Sequence, residues 1–379
     1  MNKEILHFSQ TINKIEADGF SETGIINGLY IAGKNELGYI FNKKAIELTY
    51  LLYKNFYTKR KISYKTFQQI FLESIVNNIN NGKISIEKSF KEFSLNIENV
   101  TEKTYTLFIP VNGIRINNKY NFFEFELLNK KLITKISKNK EEYNLLPETI
   151  AKITDLGDSN YLEEKYTELL NRRLNWLRAI AFKYSRHFPS ISVSNNRIED
   201  RTIFFKLNNS YDYSFKKLKT THPFDITNIK KQRVLSKAMA ISKKPGELND
   251  AINTSAEWLG KFYSEHDAKS RYLNLIVSLE SLFSPQSENY SSITASISEK
   301  SAFLFEKGDR KNILDRVKSI YQLRSKVVHS GSLKNTYNLG QDYSLVLSIL
   351  ERTIELIYKK KFVNLNELNE FFFSQKFLM

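Results

Sequence analysis

The spacing of apolar residues changes rhythm twice along the chain. Across residues 1–95 they recur every three or four positions, as in "NKKAIELTYLLYKNFY" and "EKSFKEFSLNIE", which predicts amphipathic helices. The segment "NNINNGK" (Asn77–Lys83) between them has the composition of a turn. The period then falls to two. "KTYTLFIPVNGIRINNKYNFFEFELL" alternates apolar and polar residues, with breaks at Pro110, Asn112–Gly113 and Asn117–Asn118. A small antiparallel sheet is therefore expected over residues 103–136. A helix follows at 160–184, with two short strands at "SISVS" and "RTIFFKL".

From Asn228 onward the helical period returns and stays. Pro245 opens a segment ending at "SEH", and four more follow with short loops: "AKSRYLNLIVSLESLF", "SITASISEKSAFLFEK", "DRKNILDRVKSIYQLRSKVVHS" and "LGQDYSLVLSILERTIELIYKKK". Five helices so connected predict a bundle. The fold class expected is α+β: a mixed helix and antiparallel-strand region over 1–225, an all-α bundle over 228–361, and an apolar tail over 362–379. That tail is expected to dock, on its own chain or on a partner.

Composition narrows this picture. The 379 residues suit two domains, and 41% hydrophobic content is ample for packed cores. With no cysteine, a disulfide framework, a thiolate metal site and a thiol nucleophile are all excluded. The N-terminal "MNKEILHFSQTINKIE" lacks the apolar core of a signal peptide, and no uncharged apolar run is long enough to span a bilayer. A soluble cytoplasmic protein without a membrane partner is expected. The formal charge of +16 suits a polyanion such as nucleic acid, and equally suits a lysine-rich, asparagine-rich compositional bias.

Two helices carry an ionisable residue where packing favours hydrocarbon. On the helix from Ile313 to Ser330, Ile313, Val317, Ile320 and Val327 form one face, with Arg324 at its centre. On the helix from Arg271 to Ser284, Leu273, Ile276, Val277 and Phe283 form a face centred on Glu280. Isolated buried charges are costly, so Glu280 and Arg324 are expected to meet. The pair is either a structural bridge or a device in which Glu280 holds the guanidinium for an anionic ligand. His329 shares a face with Ser325 and lies about 140° around the helix from Arg324. Arginine's reach, a distorted last turn before Gly331, or a second copy of the chain would bring the two together.

The block "YQLRSKVVHSG", preceded by "VSLESLF", "SEKSAFLF" and "AEWLGKFY", resembles the HEPN superfamily, and within it the Apea-like branch. The shared motif is an arginine, four to six residues, then a histidine near the end of a bundle helix; Arg324 and His329 supply it here. The turn reads His-Ser-Gly where His-Gly is expected. The resemblance covers residues 245–360 and implies a metal-independent endoribonuclease acting as a homodimer, a role in toxin or anti-phage defence, and no cofactor. It implies attack of the RNA 2′-OH on the adjacent phosphate, with His329 moving protons, Arg324 stabilising phosphate charge, and Ser325 orienting His329 or the scissile phosphate. Glu280 and Tyr321 would support the site. Some members of the superfamily are inactive and only bind RNA or dimerise, so a non-catalytic scaffold or sensor is the alternative.

Basic residues among aromatics suggest further RNA contacts. These are Lys59, Arg60 and Lys61 in "KNFYTKRKISYK", Arg172 and Arg173 in "NRRLNWLR", and Lys326 beside the motif. Trp176 is assigned to the core. His187 and His222 flank the last expected strands and are read as turn residues rather than metal ligands. The chain has no P-loop or dinucleotide glycine loop. With the resemblance, residues 1–225 are expected to form a sensor, regulatory or RNA-selecting domain, and a phage or host trigger is a further partner it implies.

Overall fold

The structure, a computed structural model, describes residues 3–18, 20–21, 29–32, 38–41, 43–80, 83–132, 147–184, 191–193, 199–200, 203–204, 223–226, 229–265, 267–283, 292–330 and 338–376. Helix dominates, with a small, mainly antiparallel sheet, so the protein is α+β. The chain divides into two compact units. The first comprises Met1–Leu107, Ile153–Glu168 and Glu199–Phe204; the second comprises Phe108–Lys152, Leu169–Ile198 and Phe205–Met379. This differs from a single cut near residue 225, because most of the sheet and half of the long middle helix group with the C-terminal helices.

In the first unit the three-to-four spacing becomes four helices: α1 (Lys3–Asp18), α2 (Lys43–Phe56), α3 (Tyr64–Val76) and α4 (Ile86–Thr101). Between α1 and α2 lie three strands absent from the helical reading, β1 (Phe20–Ser21), β2 (Leu29–Ala32) and β3 (Gly38–Phe41), ordered β1-β3-β2. The Asn77–Lys83 turn sits within a hairpin of β4 (Ile79–Asn80) and β5 (Lys83–Ile84). Phe8, Ile12 and Ile15 of α1 pack with Phe67, Phe71 and Ile75 of α3 and with Phe93 and Ile97 of α4. The Phe8 ring meets Phe71 and Phe90 edge-on at 5.2 and 5.1 Å.

The period-two segment forms β6 (Thr104–Asn112), β7 (Ile114–Arg115), β8 (Lys119–Phe122) and β9 (Phe125–Asn129), and β10 (Thr149–Leu156) pairs antiparallel with β9. Gly113, at φ 75°, makes the expected break. One break has no glycine, asparagine or proline to announce it: β8 and β9 join through Phe123 and Glu124, with Phe123 at φ 52°. A left-handed phenylalanine costs about 1–3 kcal/mol and needs outside support. That support comes from α5 (Ser159–Tyr184), where the Arg173 guanidinium lies 4.6 Å from the Phe123 ring centre and pairs with both carboxylate oxygens of Glu124. The remaining strands are β11 (Ser192–Val193), β12 (Glu199–Asp200), β13 (Ile203–Phe204) and β14 (Phe224–Asp225). Of these, β11 and β13 fall within the segments read as strands.

The second unit's helices are α6 (Ile229–Ser242), α7 (Glu247–Ser264), α8 (Ala268–Leu282), α9 (Ile293–Phe303), α10 (Arg310–Ser330), α11 (Leu339–Lys360) and α12 (Leu365–Lys376). The five expected helices are α7 to α11, and α6 is an additional one before Pro245. Gly260 of α7 lies against Asn175 of α5 so closely that an added Cβ would collide with the Asn175 backbone. The buried Tyr343 hydroxyl donates to Ala179 O at 2.9 Å and Leu259 O at 3.3 Å, tying α11 to α5 and α7. The tail docks on its own chain: Phe372 of α12 meets Phe283 edge-on at 5.6 Å, and Lys300 Nζ donates to Asn369 Oδ1 at 2.9 Å. Burial pulls the Lys300 pKa down to about 8.

One carboxylate ties three bundle helices together. Asp342 of α11, 2% exposed, accepts from Tyr272 of α8 at 3.0 Å and from Arg316 of α10 at 2.6 Å. Truncation removes charged hydrogen bonds and leaves the buried Tyr272 hydroxyl without this acceptor. Asp342→Ala should therefore lower stability by about 2–4 kcal/mol, read as a lower urea midpoint.

Candidate functional site

Helices α8 and α10 run in the same direction, and two contacts fix their register. Tyr272 and Arg316 meet through Asp342, and Glu280 faces Arg324. Both steps along the helices are the same eight residues, about 12 Å. The expected meeting of Glu280 and Arg324 is thus observed, with Arg324 Nε 3.7 Å from Glu280 Oε1. That separation is an ion pair rather than a hydrogen bond.

Burial of the pair is corrected. The Arg324 side chain is 50% exposed and that of Glu280 26%. Among the described side chains of α10 the buried ones are Val317, Ile320, Tyr321 and Leu323; on α8 they include Tyr272, Leu275, Ile276, Leu279 and Leu282. The buried stripe of α8 is therefore rotated from the expected one, leaving Leu273, Val277 and Glu280 at its margin. Because α8 stops at Leu282, it offers little further cover to α10 beyond Arg324.

Tyr321 lies one turn before Arg324 and is 5% exposed. Its hydroxyl makes no hydrogen bond of good geometry, although the Glu280 carboxylate lies close to it. Burial, reinforced by the nearby Glu280 carboxylate, drives its pKa far above the usual tyrosine value. At neutral pH it is a neutral phenol beside a carboxylate and a half-exposed guanidinium. The backbone of α10 is helical through Ser330, so no distortion of its last turn brings residues 324 and 329 together. The side chains of Ser325, Lys326 and His329 lie outside the described residues, as do His187 and His222.

The other described candidate cations differ in what they contact. Lys59 is exposed, and Arg60 lies 5.1 Å from the Tyr57 ring centre. Lys61 Nζ instead donates to Asp155 Oδ1 at 2.6 Å, and the Tyr166 hydroxyl donates to Asp155 Oδ2 at 2.6 Å. Burial alone would raise the Asp155 pKa, but these hydrogen bonds and the Leu156 N–H outweigh it and lower the value strongly. Arg172 forms a loose pair with Glu257 at 3.7 Å and stays largely exposed. Arg173 is committed to Phe123, Glu124 and Asn253 Oδ1, the last also accepting from Trp176 Nε1 at 3.1 Å. Its side chain is 15% exposed, and Trp176, 2% exposed, is in the core as expected.

Sequence reading missed Asp342, although a carboxylate within "LGQDYSLVL" on an apolar helix carries the same signal that singled out Glu280. Among the described residues no group of three or more His, Asp or Glu side chains could hold a metal ion, and no helix is long and apolar enough to cross a membrane. No protein-family model, curated protein or solved structure matches the chain.

The two arginines separate in a stability measurement. Arg324→Ala removes an open ion pair and should cost about 0–1 kcal/mol. Arg173→Ala removes charged hydrogen bonds and the ring contact that hold the β8–β9 turn, and should cost about 2–4 kcal/mol. Urea unfolding of both variants tests the difference.

Proposed function

We propose that the chain is a metal-independent endoribonuclease of the HEPN type, acting as a homodimer in a toxin or anti-phage defence role. One observation carries the reading: Arg324 is anchored on one side by Glu280 at 3.7 Å while half of its side chain faces solvent. A guanidinium has five N–H donors, and this long contact leaves them available to a phosphate. The position is also the arginine of the Arg-x4-His spacing near the end of a bundle helix.

In this reading His329 takes the proton from the RNA 2′-OH, whose oxygen attacks the adjacent phosphorus. The 5′-oxygen leaves with a proton, giving a 2′,3′-cyclic phosphate and a 5′-hydroxyl end. An imidazole with a reference pKa of about 6.5 can serve both transfers near neutrality. Arg324 stabilises the charge that builds on the phosphate oxygens. Ser325 orients His329 or the phosphate, and Lys326, Lys59, Arg60 and Arg172 are offered to the RNA backbone.

The helical backbone through Ser330 supports a composite site. Positions 324 and 329 stay about 140° apart on one helix, so Arg324 of one copy and His329 of another would face a shared phosphate.

His329→Ala should lower RNA cleavage by about 10²-fold or more and leave the thermal midpoint and dimer mass unchanged. Wild-type cleavage should persist in EDTA, and a substrate with 2′-deoxy at the scissile nucleotide should remain intact. Undiminished cleavage by the alanine variant overturns the catalytic assignment and leaves the non-catalytic RNA-binding or dimerising scaffold.

A further inference from the structure

A second feature of the bundle lies outside the Arg324 region and is independent of the ribonuclease reading. The end of α9 and the first turns of α10 enclose a cleft of about 470 Å³. Its apolar wall is made by Ala302, Phe303 and Leu314, and its rim by Lys307, Arg310 and Lys311. Arg310 begins α10, fourteen residues and about 21 Å along the helix from Arg324.

We propose that this cleft binds a small amphipathic anion, an apolar body ending in one anionic group. The volume is in the range of small-molecule sites. The distribution of polarity is one-sided. The only acid in the lining, Glu299, is paired with Lys376 of α12 at 3.1 Å. Glu306 and Asp309, the acids of the intervening loop, are not part of the lining. Three cations therefore face the opening without a lining acid free to neutralise them.

Arg310 is already positioned. Its Nε donates to Phe305 O at 3.2 Å, and its guanidinium sits 5.3 Å from the Phe303 ring centre. Lys307 and Lys311 are exposed, and neither takes part in an ion pair among the described residues. Holding Arg310 in place beforehand lowers the ordering cost of receiving a terminal anion, while Lys307 and Lys311 add positive charge at the rim. Among the described residues the lining has no Ser, Thr, Asn, Gln, His or Tyr. A nucleobase would therefore find no neutral hydrogen-bond partner for its edge, and a hydrocarbon body is preferred.

The probes are octanoate, octylamine and adenosine monophosphate, titrated into the full chain by calorimetry and followed by thermal unfolding. Octanoate should bind and raise the midpoint, and octylamine, which has the same chain with the opposite charge, should do neither. The double variant Lys307→Glu/Lys311→Glu alters two exposed side chains and should keep the unliganded midpoint within about 2 °C. Its octanoate affinity should fall about tenfold or more. Equal binding of octylamine, undiminished octanoate binding by the double variant, or preferential binding of adenosine monophosphate would each overturn the assignment.

Discussion

The carboxylate of Asp342 is the constraint on which the bundle's geometry rests. Removed from water, it must be satisfied by donors, and it takes them from two other helices, Tyr272 of α8 and Arg316 of α10. Those two residues are thereby set level, and a parallel pair of helices has no remaining freedom to slide. Eight residues on, the same register brings Glu280 opposite Arg324. The second contact is weak and open, and by itself would not fix anything. It is placed by the first.

This division of labour separates arginines that fasten backbone from those whose contacts are long and open. Arg316 and Arg173 are held by carboxylates and neighbouring polar groups, and each fixes a piece of backbone: the α10–α11 contact and the β8–β9 turn. Among the described residues Arg324 has one long ionic contact, to Glu280 in the last turn of α8. Arg310 is steadied by a carbonyl and a ring and still faces a cleft. A large positive charge is therefore not one undifferentiated surface. Some cations are internal fasteners, and a few remain available to anions.

Several elements were legible because their signal is local. The α4 and α7–α11 helices follow from apolar residues three or four apart, and β6 to β9 from alternation between turn residues. The Glu280–Arg324 pairing followed from two ionisable residues in otherwise apolar stripes. The left-handed Phe123 turn was not legible, because phenylalanine is a poor choice for that conformation. Its support comes from Arg173, distant in sequence, whose guanidinium is engaged by that turn. β1 to β3 lie in a stretch read as mainly helical, and β10 pairs with β9 across an intervening segment.

By itself the sequence determined the succession of helical and alternating segments, the lack of any cysteine chemistry, the strong positive charge and the spacing of Arg324 to His329. These are properties of composition and of neighbours along one chain. Only the tertiary structure decided how the units divide, which arginines are spent on packing, where α12 docks and how exposed Arg324 is. Each depends on which distant groups share a contact. An amphipathic stripe gives the direction a helix faces, but not how far its neighbour extends to cover it. Arg324 directly follows the buried Leu323, yet half of its side chain is exposed, and the pairing with Glu280 is an open one.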